Sequence, residues 1–108
     1  MTVTDSKTID LIGVERSSGK VILSIVDHLE WDSDDHLFVL QDKLNTYIEF
    51  IESGEIYDSC PQAKDKTVGI ELVVCNSPNQ EGILFLQRVK AIIERRGYEF
   101  RIEKHPKT

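Results

Sequence analysis

Cysteine is scarce in this 108-residue chain. Cys60 and Cys75 are too few for a disulfide framework, and both read as reduced thiols. Neither suits nucleophilic catalysis, since Cys75 falls on a predicted strand and Cys60 in a carboxylate-rich loop. Long apolar runs are missing too: none approaches the ~20 residues that span a bilayer. Residues 1–7 are polar, so no signal peptide is expected and the location expected is cytoplasmic. No G-x-S-x-G, P-loop or dinucleotide glycine pattern occurs. Nothing in the sequence calls for a cofactor.

Basic side chains are almost absent from one stretch. Between residues 27 and 58, ten carboxylates (Asp27, Glu30, Asp32, Asp34, Asp35, Asp42, Glu49, Glu52, Glu55 and Asp58) accompany a single cation, Lys43. The local balance is −9 in a chain whose total is −6. From Leu84 onward seven Lys/Arg stand against three Glu. A folded chain with this asymmetry has an acidic side, which selects basic partners or cations. Sequence-independent nucleic-acid binding is disfavoured, because phosphate neutralisation needs clustered Lys/Arg on an otherwise basic chain.

The length fits one domain that buries ~60–70 % of its unfolded surface, enough for a core without staples. Residues 8–104 are expected to form it, with residues 1–7 and 105–108 as flexible termini. Residues 8–16 form a β-branched strand, Ser17-Ser18-Gly19 a three-residue hairpin loop and Lys20–Asp27 the return strand. Pairing Arg16 with Lys20 sets Val14 opposite Ile22 and Ile12 opposite Ser24. After a connection, Leu37, Leu40, Leu44, Tyr47, Ile48 and Ile51 recur at helical spacing, ending at Gly54. Residues 55–66 read as a long loop. Val68, Ile70, Leu72 and Val74 alternate as a strand. Ser77-Pro78-Asn79-Gln80 carries the signs of a capping box before a helix that stops at Gly97. Tyr98, Phe100 and Ile102 mark a last strand.

The order ββαβαβ predicts an α+β fold: two layers, a four-stranded mixed sheet ordered 1-2-3-4, with two helices on one face. The other face would then expose Ile12, Val14, Ile22 and Val26, together with Val73. Such a patch points to a homodimer, to another protein or to coverage by the N-terminal segment.

Chemistry-bearing side chains concentrate in the connection at residues 27–36. Asp27, His28, Glu30, Trp31, Asp32, Asp34 and Asp35 form the candidate partner-binding set. A metal or enzymatic site at His28, Asp32 and His36 is the alternative. The helix-borne zinc pair needs His at i and i+4, whereas these two are eight apart without a third His or a Cys nearby, so no metal site is expected. Asp32 or Ser33 would cap the helix, leaving the imidazoles solvated or hydrogen-bonded and Trp31 packed under the loop or set on a binding rim.

Ile9-Asp10-Leu11-Ile12-Gly13, Gly19-Lys20-Val21-Ile22-Leu23, Asp27-His28-Leu29-Glu30-Trp31 and Phe50-Ile51-Glu52-Ser53-Gly54-Glu55-Ile56-Tyr57 make the chain resemble a small bacterial family of unknown function. The resemblance extends to about Phe100 and implies a short, single-domain cytosolic protein. It implies no reaction, ligand or catalytic residue. The expectation is therefore a non-catalytic binding module docking a basic protein partner, by analogy of size and charge with small acidic immunity proteins.

Overall fold

The computed structural model describes residues 9, 11–31 and 35–104. Strands β1 (Leu11–Val14) and β2 (Val21–Asp27) form an antiparallel hairpin. Helix α1 (His36–Glu52) crosses to β3 (Val68–Val74), and α3 (Gln80–Arg95) crosses to β4 (Glu99–Lys104). Both crossovers join parallel neighbours, so the mixed sheet runs β1-β2-β3-β4. The expected α+β architecture is the one observed. The segment read as a loop holds a short helix, α2 (Glu55–Ser59), and one 3₁₀ turn, Pro61–Ala63. Ile56 and Ala63 anchor it in the core, a burial that no periodicity in so short a run announces. No described helix is long and apolar enough to cross a membrane.

The period-2 pattern of the two central strands builds the core. Val21, Leu23 and Ile25 on β2, Val68, Ile70, Leu72 and Val74 on β3, and Phe100 on β4 are buried on one face. The register sets Leu23 beside Ile70 and Ile70 beside Phe100. Leu40, Leu44, Tyr47 and Ile51 of α1 and Leu86 and Ile93 of α3 close over them. Each such side chain contributes ~1.5–3 kcal/mol by leaving water.

The hairpin differs from expectation by one residue. Glu15, not Arg16, faces Lys20: its N–H donates to the Lys20 carbonyl at 2.8 Å, and its own carbonyl accepts from Gly19 N–H at 2.7 Å. The loop therefore has four residues, with Gly19 at φ +74° closing it. One residue of slip turns every β1 side chain to the opposite face. Ile12 and Val14 pair with Leu23 and Val21 on the helix-covered side, while Leu11 and Gly13 share the open face with Ser24 and Ile22. The set Ile12, Val14, Ile22 and Val26 is thus split between two faces. Ile9 packs against the core and borders one depression with Thr46 and Phe50 of α1, on the helix side of the sheet.

The open face is also less bare than predicted. Arg101 on β4 donates to Glu15 Oε2 at 2.9 Å and lies 3.9 Å from Glu71, and Lys20 Nζ is 2.8 Å from Glu99. Glu15 also accepts from the Ser18 hydroxyl at 2.6 Å. The Ser18 bond first, then Arg101, holds the Glu15 carboxyl below the ordinary glutamate value. A depressed carboxylate lends stability above its unfolded pKa and loses it as pH falls through the folded one. In a carboxyl-detected NMR titration Glu15 should therefore have its midpoint below an ordinary glutamate, and Arg101→Gln should move it upward. A Glu15 midpoint at the ordinary value, unmoved by that substitution, would contradict the bridge.

Candidate functional site

The chemistry-bearing connection begins where β2 ends, beside the carboxyl end of parallel β3, the place where α/β sheets commonly build sites. Here the place is filled. Asp27, the last residue of β2, alternates inward after Ile25 and is 1 % exposed; His36, the first residue of α1, is 0 % exposed. His36 Nε2 and Asp27 Oδ2 are 2.5 Å apart, and His36 Nδ1 is 3.0 Å from the Glu30 carbonyl. A carbonyl can only accept, so Nδ1 carries a hydrogen. The Nε2–Oδ2 contact is a hydrogen bond between the ring and the carboxyl group. The second Asp27 oxygen accepts from Leu29 N–H at 3.1 Å.

Trp31 closes the cluster. Its ring centroid lies 4.1 Å from that of His36, and its indole N–H donates to the Asn76 carbonyl at 2.9 Å. Asn76 in turn donates to the carbonyls of His28 and Leu29, and Asn79 to that of Trp31. Asn79 is also the N-cap of α3, its side chain accepting from Gly82 N–H at 2.8 Å. The cap expected at Ser77 falls two residues later, where Asn79 can both start the helix and clamp the connection. Gly82 completes the seat: a Cβ there would stand 2.4 Å from Trp31 Cε3.

The predicted site residues therefore divide. Asp27, Trp31 and His36 come together in the interior, where they hold β2, α1 and α3 to one another. His28, Glu30 and Asp35 are exposed on the same connection. Asp32, Ser33 and Asp34 lie outside the described residues. Asp35 occupies the N-cap position of α1 without a side-chain capping bond. With both ring nitrogens engaged and no surface exposed, His36 has no free nitrogen for a metal ion. Among the described residues no group of three His, Cys, Asp or Glu is placed to hold a metal.

Lys43, the single cation of the acidic stretch, is fully buried, with its ammonium 5.5 Å from the centre of the Tyr47 ring. The exposed charges described between residues 27 and 58 (Glu30, Asp35, Asp42, Glu49, Glu52, Glu55 and Asp58) are consequently all negative. Amid them stands Phe38, 74 % exposed on α1. The apolar stripe passes over this residue. A large aromatic off the stripe of an amphipathic helix was the signal available. A groove of about 260 Å³ runs between α1 and α3, lined by Leu44, Ile48, Phe85, Val89 and Ile92 with Gln41, Asn45 and Arg88. At the opposite end of the sheet a polar depression of about 590 Å³ includes Tyr57 and Tyr98. Burial first, then the Glu52 charge, pushes the Tyr98 phenol above its ordinary value, so it stays a hydrogen-bond donor.

A model of a family of unknown function, DUF6572, matches residues 1–106. No curated protein and no solved structure matches the chain.

Proposed function

We propose that this chain, which belongs to DUF6572, is a non-catalytic protein-binding module that docks a basic partner on the exposed face of α1 and the connection before it. The observation that carries this reading is Phe38, three-quarters exposed on α1, a helix whose exposed charges (Asp42, Glu49 and Glu52) are all carboxylates. An exposed aromatic ringed by charge has the form of a binding anchor: the ring gives area at small entropic cost, and the carboxylates steer a cationic surface toward it. His28, Glu30 and Asp35 would extend the surface, with Asp27 and Trp31 fixing the connection from beneath. The buried state of His36 argues against the enzymatic or metal alternative at His28, Asp32 and His36.

An amphipathic Lys/Leu helical peptide is a defined probe. At protein concentrations low enough to keep the chain monomeric, it should bind with an association rate that falls as salt rises. Phe38→Ser should weaken binding by ~2 kcal/mol or more, the range of interface anchors. Asp42→Asn with Glu49→Gln should slow association and flatten its salt dependence. Binding indifferent to all three substitutions would refute the assignment.

A further inference from the structure

The two crossover helices run parallel to each other, because each returns antiparallel to a parallel pair of strands. Their outward crests carry the same pattern with opposite charge. On α1, Phe38, Asp42 and Glu49 are exposed; on α3, Leu84, Arg88 and Arg95 are exposed. Each α3 residue lies 46 positions after its α1 counterpart. None of these four charged side chains makes an ion pair with a described residue. One turn beyond, Glu52 and Arg96 already join the two helices of a single chain at 2.8 Å, in the same sense of acid on α1 and base on the α3 side.

We propose that the basic partner of the α1 face is a second copy of this chain, docked helix layer to helix layer. This rests on the reading above and names its partner. A two-fold axis parallel to the helices would lay α1 of each protomer along α3 of the other. Every contact then occurs twice, as in any isologous interface. Phe38 meets Leu84, Asp42 meets Arg88 and Glu49 meets Arg95 across the axis. The apolar floor between the helices, bordered by Ile92 at 48 % exposure, becomes the dry centre, and the ion pairs form its rim. The single like-charge meeting in this register, Asp35 with Glu81, falls at the outer end. The helix layer is favoured over the open sheet face because the latter is already crossed by the Glu15–Arg101 and Lys20–Glu99 pairs.

Sedimentation equilibrium at micromolar protein tests this. The native chain should be a dimer. Asp42→Lys with Glu49→Lys should raise the dissociation constant ~100-fold or more, and so should Arg88→Glu with Arg95→Glu, since each sets like charges against each other. Mixing the two variants should restore a one-to-one heterodimer, and all four changes in one chain should restore the homodimer. That rescue separates interface loss from misfolding. A native monomer overturns the proposal, as does a dimer that survives either pair of changes or dissociates with Ile22→Lys on the sheet face. The same monomer offered the Lys/Leu peptide decides the wider reading: binding that needs Phe38, Asp42 and Glu49 leaves the binding module standing without the dimer, and no binding removes both.

Discussion

Replacing His36 with alanine should lower the free energy of unfolding by ~3–5 kcal/mol, the effect of removing one partner of a buried, hydrogen-bonded ionisable pair. The imidazole is fully enclosed and bonded at both nitrogens, to Asp27 at 2.5 Å and to the Glu30 carbonyl at 3.0 Å. Without it, the buried Asp27 carboxyl keeps the Leu29 backbone N–H as its donor among the described residues, and Trp31 loses the ring it packs against. Asp27→Asn should be milder, on the order of 1–2 kcal/mol, because a neutral imidazole can keep its Nδ1–H on the Glu30 carbonyl while the amide still hydrogen-bonds. The double variant should be less unstable than the sum of the two. Urea unfolding followed by circular dichroism gives all three values. A His36→Ala midpoint close to that of the native chain would contradict the structural role given to the pair.

Gly82→Ala is the second large effect, and its sign runs against helix propensity. In an exposed helix the change would stabilise by ~1 kcal/mol. Here the added methyl meets Trp31 Cε3 at 2.4 Å and Cζ3 at 2.8 Å, distances that force the indole out of its seat. Overpacking of this kind costs ~1–3 kcal/mol, so a net loss is expected. Trp31 is the only tryptophan, so its fluorescence should shift with the substitution. In a Trp31→Leu background the same Gly82→Ala change should be neutral or stabilising. A native-like Gly82→Ala variant with unchanged fluorescence would show that the ring does not rest on that glycine.

Much of the fold was legible because its signals are local and periodic. The alternation Val68, Ile70, Leu72 and Val74 specifies both a strand and its buried face, and Leu40, Leu44 and Ile51 specify the underside of α1. Connection handedness then leaves little freedom in strand order. The hairpin register was not legible, because both candidate pairings place apolar residues on both faces; whether the loop takes three residues or four alone decides it. The cap of α3 was misplaced for a similar reason. Ser77 and Asn79 are both competent caps, and the choice depends on Asn79 also reaching the Trp31 carbonyl, 48 residues away in sequence.

The candidate site was half legible. Composition located the acidic side and the connection that matters, but composition cannot assign burial. Asp27 and His36 read as surface chemistry because polar side chains are usually exposed, and their interior place depends on each satisfying the other. Lys43, the one cation of the acidic stretch, turns inward toward Tyr47 and leaves the surface more acidic than the sequence balance implies. Phe38 lies outside the apolar stripe, which marks what packs inside, whereas an anchor is an apolar residue out of phase with it.

The central claim is that the outward face of α1 is the surface through which this protein binds. Backbone amide NMR spectra recorded over a dilution series test it residue by residue. The account predicts concentration-dependent shifts clustered at Phe38, Asp42 and Glu49 on α1 and at Leu84, Arg88 and Arg95 on α3, with the open sheet face unmoved. Shifts confined to Leu11, Ile22 and Val26 would contradict it, as would spectra that dilution leaves unchanged together with no response at Phe38 to the Lys/Leu peptide.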